Sequence, residues 1–234
     1  MATSSYAASG LLVLDRLTPT IRALFGEHHL VDKLEYGKVV EFSLGTELGE
    51  PLWRNLLPHL KHLATERGVS PPPENEQTSL RLLQEVAASF HLTKDKETRD
   101  ILASTRFDGI ADVSMLFRLC LKFDDDHGLR NLLYQGSRWS DGREPFAYGG
   151  NACFLSRHAQ LFVDTTSLVE TGELISRGVE IRDMDLAAEH IATAAWELIH
   201  GISDASLRGP VAARVAYLLP KLALLDHPIR SKRT

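Results

Sequence analysis

The chain lacks most of the features that identify a specialised class of protein. Its 234 residues include only two cysteines, Cys120 and Cys153. Two cysteines are too few for a disulfide framework, and neither has the spacing of a zinc site. No apolar run approaches the ~20 residues of a membrane span, and the opening MATSSYAASGLLVLDRL has neither the basic nor the apolar region of an export signal. We therefore expect a soluble, cytoplasmic protein that has no membrane contact.

The motifs of the common enzyme families are also missing. The sequence contains no P-loop, no glycine-rich dinucleotide motif, no nucleophile elbow and no zincin helix, and we expect no cofactor. Acidic residues outnumber basic ones by 31 to 26, giving a net charge of -5. A field of this sign repels phosphate backbones, so nucleic-acid binding would require a local patch of arginine and lysine.

The composition is that of a globular protein, with 44% hydrophobic and 24% charged residues. The clearest internal break is GVSPPPENEQTS at 68–79, because consecutive prolines favour an extended, solvated connector. This break predicts three parts: an N-terminal helical segment at 1–67 that packs on the main body, a proline-rich linker at 68–79, and a main helical domain with a small β element at 80–234.

Helical periodicity dominates the chain and predicts an α+β fold that is predominantly α-helical, with helices packed around or beside a small sheet or β-hairpin. One predicted helix starts near Leu11 and is kinked or restarted by Pro19. A second has an apolar stripe from Leu52 to Ala64 and stops at Gly68, a third is capped by Thr78 or Ser79, and a fourth is opened by Asp108. The predicted strands are 38–44, 144–148 and 173–181.

The stretch YGGNACFLSRHAQLFVDTT at 148–166 contains three candidate catalytic residues, Cys153, Ser156 and His158. A strand would place Cys153 and His158 on opposite faces, and a helix would set them about 140° apart. A nucleophile and its base must lie ~2.6–3.2 Å apart. Both conformations therefore separate the pair and favour a packed element that is entered through a glycine turn, with a polar face of Ser156, His158, Gln160 and Asp164.

The acidic run KFDDDHGLRN at 122–131 contains candidate metal ligands in Asp124, Asp126 and His127. Consecutive residues rarely converge on one ion. Asp126 as the N-cap of a helix containing Leu129, Leu132 and Leu133 explains the run without a metal, and we favour this interpretation.

Arginines near this run are candidate ligand-binding residues. Arg138, Trp139 and Arg143 belong to the loop SRWSDGRE, and Arg157 follows Ser156. Guanidinium groups pair with carboxylate or phosphate, and a tryptophan stacks on a base. These residues, the acidic run and Cys153 with His158 support an alternative hypothesis of a hydrolase-like enzyme or a nucleic-acid-handling protein. The histidines His59 and His62 share a helix face with Glu66, which we interpret as a solvated face.

The last two predicted helices support the leading hypothesis. Asp183 or Asp185 caps the first, and Pro210 suits the first turn of the second. Their predicted buried stripes are Ala187, Ile191, Ala194, Leu198 and Ile202, and Val211, Val215, Leu218, Leu222 and Leu225. Tyr217 and Leu219 widen the second stripe beyond one packing face. We therefore expect a binding or assembly protein that acts through a helix-lined surface, as a subunit of a homo-oligomer or of a larger complex.

Overall fold

A computed structural model describes residues 4–33, 38–44, 52–70, 72–73, 78–140 and 148–230. The chain divides into two compact units, Met1–Arg157 and His158–Thr234. The segment 68–79, predicted as a linker, belongs to the first unit, and its residues 71 and 74–77 lie outside the described part.

The first unit alternates strands and helices. Its strands are β1 (Ser4–Val13), β2 (Val31–Lys33), β3 (Val39–Leu44), β4 (Asn131–Ser140) and β5 (Tyr148–Ser156). Its helices are α1 (Pro19–Phe25), followed by a 3-10 turn at Gly26–His28, then α2 (Trp53–Glu66), α3 (Ser79–Ser89), α4 (Lys96–Ser104) and α5 (Val113–Lys122). This architecture is α+β with helix as the commoner element, which confirms the predicted fold class.

The five strands form an antiparallel sheet in the order β2-β3-β1-β4-β5. The central pair β1 and β4 runs in register from Ser4 opposite Ser140 to Val13 opposite Asn131. Alternation along the strands sends one set of side chains into the core. That set includes Ala8, Leu12, Val40, Phe42, Leu132, Tyr134 and Leu155, all buried.

Helices cover the inner face of this sheet. The stripe predicted on α2 is buried at Trp53, Leu56, Leu60, Leu63 and Ala64, and Gly68 follows the helix in the left-handed region at φ 74°. Thr78 caps α3 by accepting a hydrogen bond of 3.1 Å from the backbone nitrogen of Arg81. The structure therefore confirms these three local predictions. Each of them depends only on the spacing of neighbouring residues and on a capping residue.

The second unit contains β6 (Gln160–Asp164) and three helices, α6 (Thr165–Glu180), α7 (Met184–His200) and α8 (Ala205–Arg230). Asp164 and Asp183 cap α6 and α7 by accepting backbone hydrogen bonds of 2.8 Å and 2.9 Å from Ser167 and Leu186. The helix α8 has 26 residues, and its sequence contains Pro210, Pro220 and Pro228 in its interior.

Five sequence predictions are wrong. The last helix begins at Ala205, so Pro210 lies in its interior and not in its first turn. The stretch 173–181 is helical almost throughout, in α6, because the Asp164 cap starts a helix there. The first helix begins only at Pro19, since residues 4–13 pair as β1. The fourth helix starts at Val113 behind an Asp112 cap, and Asp108 lies in the preceding turn. The residues after Asp126 enter strand β4. Of the predicted strands, 38–44 is confirmed by β3, and 144–147 lies outside the described residues.

Candidate functional site

Cys153 lies on the inner face of β5, directly opposite Tyr134 of β4. Its side chain is partly buried against the hydrophobic core. Burial and, to a lesser degree, the nearby Asp112 carboxylate raise the pKa of the Cys153 thiol to about 11. Burial likewise raises the pKa of the Cys120 thiol well above its usual value. Both thiols are therefore protonated at neutral pH, the opposite of what nucleophilic catalysis needs.

The other candidates of this stretch are distributed over both units. Ser156 ends β5 opposite Asn131, so the 151–164 stretch is strand on both sides of a short turn. His158 begins the second unit, where its carbonyl accepts a hydrogen bond of 3.0 Å from the backbone of Ser203. Arg157 is exposed and lies 4.0 Å from Asp124. Arg143 and the side chains of Arg138 and Trp139 lie outside the described residues, so ligand binding by these residues stays a prediction.

The acidic run joins separate parts of the first unit. Asp125 accepts hydrogen bonds from the Thr18 hydroxyl at 2.6 Å and from the Thr20 backbone at 2.9 Å, which satisfies the start of α1. Asp126 adopts a left-handed conformation at φ 68° and lies 3.9 Å from Arg16. Each acid of the run thus has its own partner, and the three carboxylates do not share one centre.

His127 is fully buried, and its ring is held at both nitrogens. Nδ1 accepts a hydrogen bond of 2.8 Å from the Leu129 backbone nitrogen. Nε2 lies 2.9 Å from the Cys120 carbonyl oxygen. Because a carbonyl only accepts, this pair of bonds requires the neutral tautomer with its proton on Nε2. His127 therefore ties the loop after α5 to that helix.

A second histidine cluster lies between α1 and α2. His59 Nε2 is 2.9 Å from Glu27 Oε1, and His62 Nε2 is 3.3 Å from Glu66 Oε1. The two histidines, Glu66 and Arg22 line a shallow concavity of about 170 Å³. Across the described ranges, no group of three or more histidine, cysteine, aspartate or glutamate side chains is arranged to hold a metal ion. The cluster therefore consists of two separate histidine–glutamate contacts.

His28 differs from these histidines because it is buried among aromatic rings. Its ring centroid is 5.4 Å from that of Phe25 and 5.7 Å from that of Phe42. Burial lowers the pKa of His28 to about 4, and the backbone of Phe25 acts in the opposite direction. Within the described chain, neither ring nitrogen has a partner in hydrogen-bonding geometry. The neutral imidazole is thus a core side chain with two unsatisfied polar atoms.

The strongest candidate surface is in the second unit, where apolar side chains remain exposed. Of the 32 buried apolar residues in the described chain, 30 are in the first unit and only Ala187 and Ile199 are in the second. Of the 20 large apolar residues that are exposed, 17 are in the second unit. The first unit therefore encloses a hydrophobic core, whereas the helices of the second unit leave most of their large apolar side chains exposed.

The helices α6 and α7 form a tight antiparallel hairpin around one glycine. A β-carbon on Gly178 would lie 2.8 Å from the backbone nitrogen and 3.1 Å from the β-carbon of Ala187. The backbone nitrogen of Asp183 donates to the Gly178 carbonyl at 2.8 Å. The absence of a side chain at Gly178 therefore allows the two helices to pack closely at this end of the hairpin.

One side of this hairpin is apolar and uncovered. Successive residues of a helix are rotated by ~100° about its axis, which places Leu168 and Val179 to one rotational side of Gly178. Met184, Ile191 and Leu198 lie to the same rotational side of Ala187 on α7. Because the two helices run antiparallel, the same direction of rotation brings both sets of side chains to the same side of the hairpin. We call this surface the hairpin groove; it consists of Leu168, Val179, Met184, Ile191 and Leu198, each between 52% and 65% exposed. The opposite side has the polar residues Glu170, Arg177, Thr193 and Glu197, together with the exposed Ile181.

The helix α8 has an exposed apolar stripe of its own. The α8 stripe consists of Leu207, Val211, Leu218 and Leu222, which share one side of the helix and are 37% to 57% exposed. Along one edge lie Arg214 and Lys221, both exposed. The Tyr217 ring lies between them, 4.9 Å from Arg214 Cζ and 4.0 Å from Lys221 Nζ. The stripe therefore has a basic edge that is ordered by an aromatic ring.

The sequence predicts the positions of these stripes and misjudges their burial. Ile191 and Leu198 lie on the predicted stripe of α7, and Leu218 and Leu222 on that of α8, but all four are exposed. Of the stripe predicted on α7, only Ala187 is buried, and it packs against Gly178 of α6. Met184 is missing from the prediction, although the seven-residue repeat Met184, Ile191, Leu198 is visible in the sequence.

Among the described helices, none is long and apolar enough to span a membrane. Comparison with protein-family models finds no match to the chain, and neither the curated proteins nor the solved structures include a match.

Proposed function

We propose that this protein is an assembly subunit that binds another protein chain through the helical surface of the His158–Thr234 unit. The observation that supports this function is the uneven distribution of exposed large apolar residues, because 17 of the 20 found in the described part of the chain lie in that unit. Soluble proteins seldom leave apolar side chains of this size uncovered except at a surface that binds something. In this function the first unit, which has an enclosed core, is the stably folded part of the subunit.

The alternative enzymatic function has less support. The thiol of Cys153 is held in its protonated form, and each described acid of the DDDH run is bonded within the fold. A catalytic group needs a reactive protonation state and access to substrate. Binding of another protein chain by the helical surface needs neither a reactive protonation state nor a substrate pocket.

Site-specific photo-crosslinking in the full-length protein tests the proposed function. A photoreactive residue is placed at Ile191 or Leu198 in the hairpin groove, and at Thr193 on the polar side as the matched control. Cells that produce the protein are irradiated, and the adducts are identified by mass spectrometry. We expect one discrete protein adduct from positions 191 and 198 and none from 193.

The irradiation is then repeated in the presence of an excess of competitor chain that lacks the photoreactive residue. Excess wild-type chain should suppress the adduct, whereas excess Met184→Gln/Leu198→Gln chain should not, because polar amides in the groove remove the apolar contact. If positions 191 and 198 give no adduct, or give the same adducts as position 193, the proposed function is wrong.

A further inference from the structure

We infer that α8 binds a negatively charged lipid surface, with the α8 stripe at the boundary between the headgroups and the acyl chains. This inference goes beyond the proposed function, because it concerns α8 and a bilayer, whereas the proposed function is tested at the hairpin groove. The expectation of no membrane contact rests on the lack of a spanning segment and of an export signal. A helix that lies in the plane of the interface needs neither of them.

The described side chains of α8, at 205–222, are all exposed or half-exposed, and none is buried. The half-exposed ones are Arg208, Ala212 and Val215, and Arg208 donates from Nε to the Ile202 carbonyl at 2.9 Å. At ~100° per residue these three share one side of the helix, about 80° from the centre of the α8 stripe. The side by which α8 contacts its own unit therefore leaves the stripe uncovered.

The large apolar side chains of α8 are concentrated on the stripe side. The side opposite the stripe consists of the small residues Gly209, Ala213 and Ala216 together with Pro220. A helix with its apolar area on one side lies in a membrane interface with that side towards the acyl chains. Protein interfaces carry about one hydrogen bond per 100–200 Å², whereas the stripe has no polar side chain and an acyl layer requires none. These features favour lipid as the occupant.

The basic edge of the stripe has the position expected for contact with headgroups. Arg214 and Lys221 lie ~50–70° from the centre of the stripe, on one side of it. Long basic side chains at such positions keep their stems beside apolar groups and extend their charges to phosphate. The Tyr217 ring, 4.9 Å from Arg214 Cζ and 4.0 Å from Lys221 Nζ, lies ~110° from the centre. Tyrosine is enriched at the interface depth that this angle gives.

The charges of the chain are unevenly distributed along the sequence. Residues 205–234 contain six of the 26 basic residues and one of the 31 acidic ones, which gives this part a net charge of +5. Residues 1–204 contain the other 20 basic and 30 acidic residues and have a net charge of -10. An anionic lipid surface attracts the first part and repels the second, so its field orients the chain with α8 towards the membrane.

Flotation of the full-length protein with lipid vesicles tests this inference. The probes are vesicles of phosphatidylcholine with about 30% phosphatidylserine, and vesicles of phosphatidylcholine alone. We expect the wild-type chain to float with the anionic vesicles at about 0.1 M salt. Binding should be at least tenfold weaker to the neutral vesicles, and also at about 1 M salt, because the Debye length falls from ~10 Å to ~3 Å.

The basic edge is tested by Arg214→Gln/Lys221→Gln, which should weaken binding about 25-fold, since each basic residue near an anionic surface contributes about a factor of five. The exchange Arg214→Lys/Lys221→Arg keeps both charges and should bind like wild type. The matched control, Arg177→Gln/Arg182→Asn, removes two exposed positive charges outside α8 and should change binding less than about threefold. Asparagine suits position 182 because Arg182 has a φ of 58°.

The stripe is tested by Leu218→Gln/Leu222→Gln, which makes two of its positions polar and should weaken binding at least tenfold. The same exchange in the hairpin groove, Ile191→Gln/Leu198→Gln, should change binding less than about threefold, because the groove does not face the lipid in this arrangement. All four side chains are exposed, so each variant should fold like wild type, which circular dichroism in buffer verifies.

Three results overturn the inference. The first is a wild-type chain that does not float with the anionic vesicles. The second is binding that the basic-edge and stripe variants leave unchanged, or that the groove variant abolishes. The third is a discrete protein adduct from a photoreactive residue at Leu218 in cells, which would identify an acidic protein as the occupant of α8. A chain that gives the protein adduct from position 191 without binding vesicles refutes this inference and leaves the proposed function intact.

Discussion

Thr18 donates its hydroxyl hydrogen to Asp125 Oδ1 over 2.6 Å, across 107 residues of sequence. The other carboxylate oxygen of Asp125 accepts from the backbone nitrogen of Thr20 at 2.9 Å. Asp125 thus does for α1 what a local capping residue does elsewhere, since Thr18 itself makes no side-chain cap. The relationship assigns a structural role to the central acid of the run whose neighbours Asp124 and Asp126 are the candidate metal ligands.

We predict that Asp125→Asn lowers the free energy of unfolding by about 1–2 kcal/mol, because the amide loses one of the two acceptor positions. Its neighbour provides the matched control. Asp126→Asn keeps a residue type that tolerates φ > 0 and removes only an exposed ion pair, so its effect should stay below about 0.5 kcal/mol. Urea denaturation followed by tryptophan fluorescence measures both. An effect of Asp126→Asn as large as that of Asp125→Asn would contradict this assignment.

We predict an acid-dependent loss of stability that depends on His28. Its pKa in the folded chain is about 4, whereas an unfolded histidine has a pKa of ~6.5. Between these values the unfolded state binds a proton that the folded state does not. The contribution of neutral His28 to the free energy of unfolding is therefore fully present above pH 6.5, and it is lost by up to about 3 kcal/mol as the pH falls towards 4.

The substitution His28→Leu should remove this part of the pH dependence and be no less stable than wild type at pH 7, since it eliminates two buried unsatisfied nitrogens. The control is His91→Asn, because His91 is exposed and has a φ of 59°, which asparagine tolerates. Chemical denaturation at pH 7, 6, 5 and 4 measures the difference. Parallel pH profiles for wild type and His28→Leu would show that another group is responsible.

We predict that Cys153 reacts slowly with iodoacetamide. With a thiol pKa of about 11, only ~0.1% is thiolate at pH 8, so alkylation should be about two orders of magnitude slower than that of a free cysteine. Cys120 is fully buried and should not react in the folded chain. Peptide mass spectrometry over time measures the rate, with Cys153→Ser as the blank and the urea-unfolded chain as the reference. Alkylation as fast as in the unfolded chain would revive the catalytic hypothesis.

We predict opposite effects of two glycine-to-alanine substitutions in α6. Gly178→Ala should push α6 and α7 apart, because the new methyl group would lie 2.8 Å from the backbone of Ala187. Gly172 has no atom within 4 Å of its missing β-carbon, so Gly172→Ala should stabilise the helix by about 0.5–1 kcal/mol. Amide hydrogen exchange of α6 and α7 should accelerate in the first variant and slow in the second. Equal exchange in both variants would mean that the close approach at Gly178 does not matter.

The success of sequence-based prediction depended on how local each feature was. The α2 stripe and the caps at Thr78 and Asp183 depend on residues a few positions apart, and the structure confirms them. Strand β4 depends on β1, more than a hundred residues earlier, so Leu129, Leu132 and Leu133 were assigned to a helix. In α6, the cap at Asp164 is the local signal for a helix, whereas the alternating pattern of 173–181 alone predicts a strand.

The candidate surface was predictable in outline only. Periodicity locates Ile191 and Leu198 on one side of α7, but whether that side is buried depends on what lies against it. A single chain cannot supply that information when the neighbour is another molecule. The sequence likewise does not show that Gly178 packs against Ala187 while the neighbouring hairpin groove stays exposed. That arrangement depends on how α6 and α7 pack together.

The three prolines inside α8 limit its stability as an isolated helix. Each proline removes a backbone donor and weakens the helix around it. The 26 residues of α8 therefore depend on packing against other surfaces, more than on their own backbone hydrogen bonds, to remain helical. Under the proposed function, a bound partner chain would supply such packing and raise the apparent stability of this helix by mass action.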